Sequence, residues 1–358
     1  REVAPHVREV EPHGDPAYRH GQLPPEGQRA IRRQRPQLLE EQAAVRRAAS
    51  TAERARGPRS PRARLRDHLA KDRPPPSLAG EGERGRAGGP ADRCYRPADL
   101  QDLQQFLGTL PADEPLYWVG LGSNLLVRDG GIRGTAILPF GGLDTLKQLE
   151  GDKVRAGAGV SCAKVARFAA RAGLVGAEFL AGIPGTMGGA LAMNAGAFGG
   201  ETWSLVSSVQ TLDRSGELHV RTPASYQVSY RSVTGPGDEW FVGVDLQLSS
   251  GDSAAAQARI KALLERRSAT QPTQQPSCGS VFRNPPHDFA ARLIESCGLK
   301  GERIGNAQVS EKHANFIVNL GGAKAADIEA LVRYVQSQVK QQHGVWLEPE
   351  VRIVGEFE

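Results

Sequence analysis

Residues 178–201 read "EFLAGIPGTMGGALAMNAGAFGGE". Between Glu178 and Glu201 lie 22 residues without a charge; seven are glycine, and Pro184 and Asn194 stand among them. The length suits a membrane-spanning helix, which needs about 20 apolar residues, but the composition does not. Each glycine in a helix costs on the order of 0.8–1 kcal/mol against alanine, and proline about 3 kcal/mol. A flexible linker fits no better, because Phe179, Leu180, Ile183, Met187, Leu191, Met193 and Phe198 are too apolar to be left in water. What remains is an ordered backbone in which glycine serves close approach and positive φ. A flat, phosphate-bearing cofactor is what such a backbone can lie against, so the stretch is expected to be a binding loop.

The chain of 358 residues is long enough for two or three domains. Its net charge of +5 is unevenly placed: residues 1–90 carry 18 Arg and one Lys against 12 Asp and Glu, a net of +7, which leaves −2 for the rest. Residues 1–86 hold a single aromatic, Tyr18, and runs such as "RRQRPQ" and "RGPRSPRARLRD". Such a segment buries too little apolar surface to offset its ordering entropy, so 1–86 is expected to be a basic, disordered Arg/Pro-rich segment, with a loose helix near 37–56 at most. An arm for nucleic acid is the alternative reading, but no aromatics are interleaved, and no nucleic-acid partner is expected. Eighteen Arg to one Lys is also what a GC-rich coding region read out of frame would yield. Cys94, Cys162, Cys278 and Cys297 have neither C-x-x-C nor zinc-like spacing, and no apolar leader opens the chain. The expectation is a cytoplasmic protein with reduced thiols, no bound metal and no membrane partner.

From Ala87 the texture becomes that of a folded protein. "PADLQDLQQFL" (97–107) puts Leu100, Leu103 and Leu107 on one helical face. Strands are expected at 116–119, about 124–127 and 135–138, with a Gly turn and a "DGG" turn between them. Helices are expected at 161–172, 253–267 and 325–342, β-rich segments over 203–248, and a closing strand in "EPEVRIVG". "GLGSNLL" (120–126) fails the dinucleotide fingerprint, because Leu125 replaces the third glycine and a strand follows instead of a helix. By itself it reads as a plain hairpin turn or, less readily, as a loop whose exposed N–H groups hold phosphate.

Six segments, "GLGSNLL", the 178–201 stretch, "SYRSV" (229–233), "SCGSVFRNP" (277–285), "LIESCGLKGERIGNAQVSEKHANFIVN" (293–319) and "LEPEVRIVG" (347–355), stand in the order found in UDP-N-acetylenolpyruvoylglucosamine reductases. Residues 87–358 resemble that family, in the branch lacking an extra tyrosine-bearing loop. The resemblance implies an α+β protein: a two-subdomain FAD-binding fold of the vanillyl-alcohol-oxidase type, 87–148 and 149–252, and a C-terminal α+β substrate-binding domain, 253–358. "GGPA" (88–91) is kept, whereas "SLAGEGERG" (77–85) departs from what the family has before it, so the first strand is where a change is expected.

The reaction implied by the resemblance reduces UDP-N-acetylglucosamine enolpyruvate to UDP-N-acetylmuramate, with NADPH as reductant and FAD as the bound carrier, in peptidoglycan precursor synthesis. Matching motifs assign Ser280 as proton donor, Arg231 and Glu350 as holders of the substrate carboxylate, and Asn284 as a substrate hydrogen-bonding residue. FAD is expected against Gly122, Ser123, Asn124, Gly182, Pro184, Gly185, Thr186, Gly188, Gly189, Asn194 and Gly196. A carboxylate beside an anion makes sense if Glu350 is protonated or bridged by Arg231, since burial and a neighbouring anion both raise a carboxyl pKa. Without the resemblance, Arg231 reads as a strand-edge surface residue, Ser280 as a turn residue and Glu350 as a solvated carboxylate. His313 reads as structural. A different FAD-dependent enzyme and an inactive homologue with a nucleic-acid-binding tail are the competing functions. No G-x-S-x-G or H-E-x-x-H supports a hydrolase.

Overall fold

The computed structural model describes residues 87–358, which lie within one compact unit. The expected basic segment 1–86 and the departure at 77–85 lie outside the described residues. "GGPA" leads into a strand, Ala91–Tyr95, that runs parallel to Ile132–Ile137; Leu116–Trp118 lies parallel on the other side. The middle strand begins three residues before the expected 135. Gly134 sits within it at φ +117°, so close to its neighbour that a Cβ would stand 2.4 Å from Pro115 O. That glycine marks close approach in a strand, not the end of a turn. Helix Leu100–Leu107 connects the first two strands. Asp99 caps it by accepting the Asp102 N–H at 2.9 Å, and Leu103 and Leu107 are buried, each contributing about 2 kcal/mol.

A second, antiparallel sheet has the order Leu218–Arg221, Val206–Asp213, Glu239–Gln247, Lys153–Gly157, Leu146–Gln148. Helix Cys162–Arg171 covers it with Cys162, Val165, Ala166, Ala169 and Ala170, the i, i+3, i+4, i+7, i+8 stripe of an amphipathic helix. Two elements pack across the expected divisions. Leu146–Gln148, within the expected 87–148 subdomain, pairs into this sheet. Helix Ser253–Thr270, within the expected 253–358 domain, buries Ala256 and Ile260 in the same core. Register and packing decide both, and neither is visible in a local pattern.

The C-terminal part is a four-stranded antiparallel sheet, in the order Ser277–Ser280, Phe316–Asn319, Ala307–Val309, Arg303–Ile304, packed with helices Ala290–Ser296 and Ala325–His343. The expected hairpin across "GLGSNLL" does not form. Leu125–Val127 instead pairs in parallel with Arg352–Val354, and Leu126 joins the C-terminal core. The turn after it completes the link. Arg128 grips the buried Glu329 with two bonds, at 2.8 and 3.1 Å, and donates to Gly355 O. Asp129 accepts the N–H groups of both Ala325 and Ala326 at 2.9 Å, capping the last long helix from a distant loop.

The Gly-rich stretch is ordered, but not as a loop throughout. It makes a 3₁₀ turn, Glu178–Gly182, and a seven-residue helix, Met187–Met193. Positive φ occurs at Asn194, Phe198 and Gly199 only; the other six glycines have ordinary backbone angles. Most serve close approach to the protein itself. A Cβ on Gly182 would lie 2.4 Å from the Phe198 ring, and one on Gly200 2.5 Å from the Phe179 ring. Among the described residues, no helix is long and apolar enough to cross a membrane.

Asp129→Ala is expected to lower the unfolding free energy by about 1–2 kcal/mol, as loss of a helix N-cap does, while Asp129→Asn keeps most of it. Urea unfolding monitored by circular dichroism checks this; an equal loss in both variants would make charge, not capping, the source.

Candidate active site

Ser123 and Asn124 stand where the separate parts of the chain meet. Gly122 adopts φ +65°, which lets the chain turn tightly before Leu125. Asn124 Nδ2 donates to Glu350 O at 3.0 Å, and Asn124 O accepts the Arg352 N–H at 3.0 Å. The same Nδ2 lies 3.1 Å from Met193 Sδ at the end of the short helix. Ser123 faces two glycines: a Cβ on Gly185 would stand 3.3 Å from Ser123 Oγ, and one on Gly279 3.7 Å from Ser123 O. Two residues thus contact the Gly-rich stretch, the "CGSVF" strand and the C-terminal segment.

A cavity of about 280 Å³ opens beside this loop, walled by Trp118, Gly120, Thr186, Gly188, Gly189 and Tyr226, among others. Two of the lining residues carry a buried donor without a hydrogen-bond partner, Trp118 Nε1 and the Tyr226 hydroxyl. Burial, with the charge of Glu239 adding to it, pushes the Tyr226 hydroxyl up to about 12, so it remains a donor. Native proteins pair nearly all buried polar groups, so two orphaned donors on residues lining one cavity point to ligand atoms. Gly189 is exposed, and a Cβ there would meet nothing nearer than Thr186 Oγ1 at 3.9 Å. Its missing side chain leaves room.

The expected cofactor residues therefore divide. Thr186, Gly188 and Gly189 line the cavity, and Gly122, Ser123, Asn124, Pro184 and Gly185 belong to the loops beside it. Gly182, Asn194 and Gly196 make close contacts within the protein itself. Asn194 is buried at φ 44°; its Nδ2 donates to Glu201 and to Ser229 O, and its Oδ1 accepts the Trp203 N–H. Its whole amide is engaged by the protein. A Cβ on Gly196 would stand 2.5 Å from Gly200 O.

Arg231 sits at the turn of a small hairpin, Gln227–Ser229 with Ser232–Thr234, in the left-handed region at φ 55°. That conformation costs an arginine roughly 1 kcal/mol or more and is found where function holds it. Its Nη1 and Nη2 donate to Asn194 O and Gly196 O at 3.4 and 3.1 Å. Its Nε lies 3.0 Å from Glu350 Oε1, a charge contact whose N–H is not aimed along a hydrogen-bond direction. The two side chains are 18% and 12% exposed, so neither the surface reading of Arg231 nor the solvated reading of Glu350 holds. Burial raises the Glu350 pKa above the usual carboxylate value; Arg231 and Arg283 oppose the shift without cancelling it.

Ser280 ends the strand Ser277–Ser280 and is held by its neighbour's peptide. Val281 N donates to Asn315 O, and Val281 O accepts the Glu350 N–H at 2.7 Å. Asn315 brackets Phe282 with both ends of its amide, at 2.9 and 2.8 Å. One rib of backbone therefore fixes Val281, the residue after Ser280, beside Glu350. Asn284 is exposed, and its Oδ1 accepts the Ala290 N–H. Sequence reasoning missed Arg283, which stands inside a quoted motif, and Trp118, Tyr226 and Asn315, whose roles carry no local signal.

Residues 91–221 match the FAD binding domain family, and 271–354 match the UDP-N-acetylenolpyruvoylglucosamine reductase C-terminal domain family. A curated UDP-N-acetylenolpyruvoylglucosamine reductase from Alkalilimnicola ehrlichii is 65% identical over 271 residues, covering 76% of this chain and 91% of that protein. The one from Methylococcus capsulatus is 64% identical, covering 76% and 89%. The crystal structure of the UDP-N-acetylenolpyruvylglucosamine reductase from Thermus caldophilus aligns with a TM-score of 0.65 at 36% identity, over 75% of this chain and 93% of that one. The cavity fits a flavin nucleotide in kind, with a glycine wall and orphaned donors for ring or ribose atoms.

Gly189→Ala is expected to leave the protein as stable or up to about 1 kcal/mol more stable, by helix propensity, yet to weaken FAD binding. Gly182→Ala should destabilise the fold. Thermal unfolding and fluorescence titration of the flavin-free protein with FAD separate the two; unchanged FAD affinity in Gly189→Ala would remove that residue from the cradle. With both family domains matched in order, and relatives this similar over nine-tenths of their length, the chain belongs to the UDP-N-acetylenolpyruvoylglucosamine reductase family and is a flavin-dependent oxidoreductase.

Proposed function

We propose that this chain catalyses the NADPH-dependent, FAD-mediated reduction of UDP-N-acetylglucosamine enolpyruvate to UDP-N-acetylmuramate in peptidoglycan precursor synthesis, as a cytoplasmic enzyme. The observation that carries the reading is the Arg231–Glu350 pair, buried at 3.0 Å and tied through Val281 to Ser280. Gly122, Ser123, Asn124, Pro184, Gly185, Thr186, Gly188 and Gly189 would hold FAD, which when bound supplies the hydride drawn from NADPH.

The remaining work falls to side chains. Arg231 holds the enolpyruvyl carboxylate, and its charge stabilises the negative charge that develops between that carboxylate and the adjacent carbon. Ser280 Oγ gives its proton to that carbon. A serine is a poor acid in water, so the step depends on a dry site and on Oγ being held at the reacting atom. Burial of Glu350 favours its neutral form, which lessens its repulsion of the incoming anion. Asn284 donates to the sugar nucleotide. Gly182, Asn194 and Gly196 act one step back: Asn194 O and Gly196 O fix the Arg231 guanidinium.

Ser280→Ala tests the reading. NADPH should bleach the flavin absorbance at the normal rate, while its return on adding the enolpyruvyl substrate slows by about 10²–10⁴-fold. Equal slowing of both phases would make Ser280 a folding or positioning residue.

Glu350 also has a signature in stability. With its pKa raised above 4.5 in the folded state, the native protein holds more protons than the unfolded one across the window from 4.5 up to the raised value. Stability contributed by the neutral carboxyl therefore falls as pH rises through that window. Glu178, Glu239 and Glu329 are shifted the other way and lose their contribution as pH falls. The difference in urea midpoint between wild type and Glu350→Gln, followed from about pH 4 to 7, isolates the first effect; a flat difference would mean that the Glu350 pKa is the same in the folded and unfolded states.

A further inference from the structure

Arg231 alone is a poor clamp for a carboxylate. Both tips of its guanidinium already donate to main-chain carbonyls, and only Nε, beside Glu350, faces the site without a hydrogen bond. Recognition of a carboxylate at full strength uses two parallel N–H donors from one planar fork. A second guanidinium lies within the same few residues. Arg283 N donates to Glu348 O at 2.9 Å, and Phe282 bridges Pro349, so the Arg283 backbone is fixed alongside the strand that carries Glu350. Its Nη2 reaches across to Arg231 O at 3.2 Å. Its Nε is buried without a hydrogen bond, as is that of Arg231, which has only the charge contact with Glu350. An unpaired buried donor of this kind costs about 1–3 kcal/mol, more when charged, and in a native protein it marks a place where a ligand atom completes the site.

Charge agrees with geometry. Two guanidinium groups face one carboxyl, so the cluster carries at least one net positive charge before substrate arrives. An incoming carboxylate brings it toward neutrality.

We propose that Arg283 is the second cation of the clamp, binding the enolpyruvyl carboxylate with its unpaired Nε while Arg231 holds the same group from the opposite side. The inference rests on the reading of Arg231 and Glu350 as the carboxylate end of the site. Arg283 touches substrate and sets specificity for the acid over its parent sugar nucleotide; it transfers no proton.

The test is calorimetric binding to the full-length oxidised holoenzyme, without NADPH. One ligand is UDP-N-acetylglucosamine enolpyruvate; the other is UDP-N-acetylglucosamine, which keeps the diphosphate and lacks the carboxylate. Arg283→Gln should raise the Kd for the enolpyruvyl acid by about 10–100-fold and that for UDP-N-acetylglucosamine by less than about threefold. Arg283→Lys, which keeps the charge but loses the fork, should fall between wild type and Gln for the acid only. Equal losses for both ligands would place Arg283 on the diphosphate or in the fold and overturn the proposal, as would no loss for either. If Arg283→Gln fails to hold flavin, the Lys variant decides: no selective loss for the acid overturns the proposal. Arg231→Gln in the same assay keeps the two readings apart. Selective loss there, but not in the Arg283 variants, sinks Arg283 alone; absence of selective loss in Arg231→Gln as well sinks the carboxylate site.

Discussion

The parallel pairing of Leu125–Val127 with Arg352–Val354 is the interaction on which the rest of the site depends. It joins a strand near the start of the described chain to one near its end. Closing so long a loop adds little entropy cost beyond that of a moderate one, because the penalty grows only logarithmically with length. The return is large. The pairing carries Glu350 to Asn124, inserts Leu126 into the C-terminal core, and brings the Arg128 guanidinium over the Phe357 ring at 4.4 Å. Arg128 and Asp129 then fasten the last long helix from the same turn.

Around that junction the molecule departs from the usual local rules in several ways at once. Arg231 is held in a left-handed conformation, Glu350 is buried against its ordinary tendency to ionise, and two guanidinium nitrogens lack hydrogen bonds. Among the described residues, five buried side-chain polar atoms have no partner; Arg231 and Arg283 account for two, and the cavity residues Trp118 and Tyr226 for two more. Strain and unsatisfied polarity gather where a ligand completes the structure. The framework that bears them is conventional: amphipathic helices on sheets, capped ends, and paired half-buried charges such as Arg155–Asp245.

The glycines of the 178–201 stretch are ordered, but by a different geometry from a plain loop. Their number excluded a membrane helix and a linker, and the backbone is indeed ordered and tightly approached. Gly182, Gly196 and Gly200 approach other parts of the protein closely, and few of the set need positive φ. Helix Met187–Met193 forms despite two glycines because Met187, Ala190 and Leu191 bury one side of it in the core, and tertiary burial outweighs a propensity penalty of about 1 kcal/mol per glycine. Asn194 braces the turn after that helix, since its amide closes three protein hydrogen bonds.

What the sequence determined by itself was local or combinatorial. The spacing of Leu100, Leu103 and Leu107 announces a helix face. The order of six motifs announces the family, and with it Ser280, Arg231 and Glu350. Tertiary structure alone decided which strands pair, which boundaries hold, and which polar atoms are left over. Leu125–Val127 reads as half of a hairpin in any local window, and its partner lies at the other end of the chain. Arg283 reads as one arginine among many until its buried Nε is seen to lack an acceptor. The physical reason is the range of the forces. Helix propensity and periodicity act over a few residues and are written in consecutive letters, whereas strand pairing, burial and charge balance depend on which distant segments share a neighbourhood.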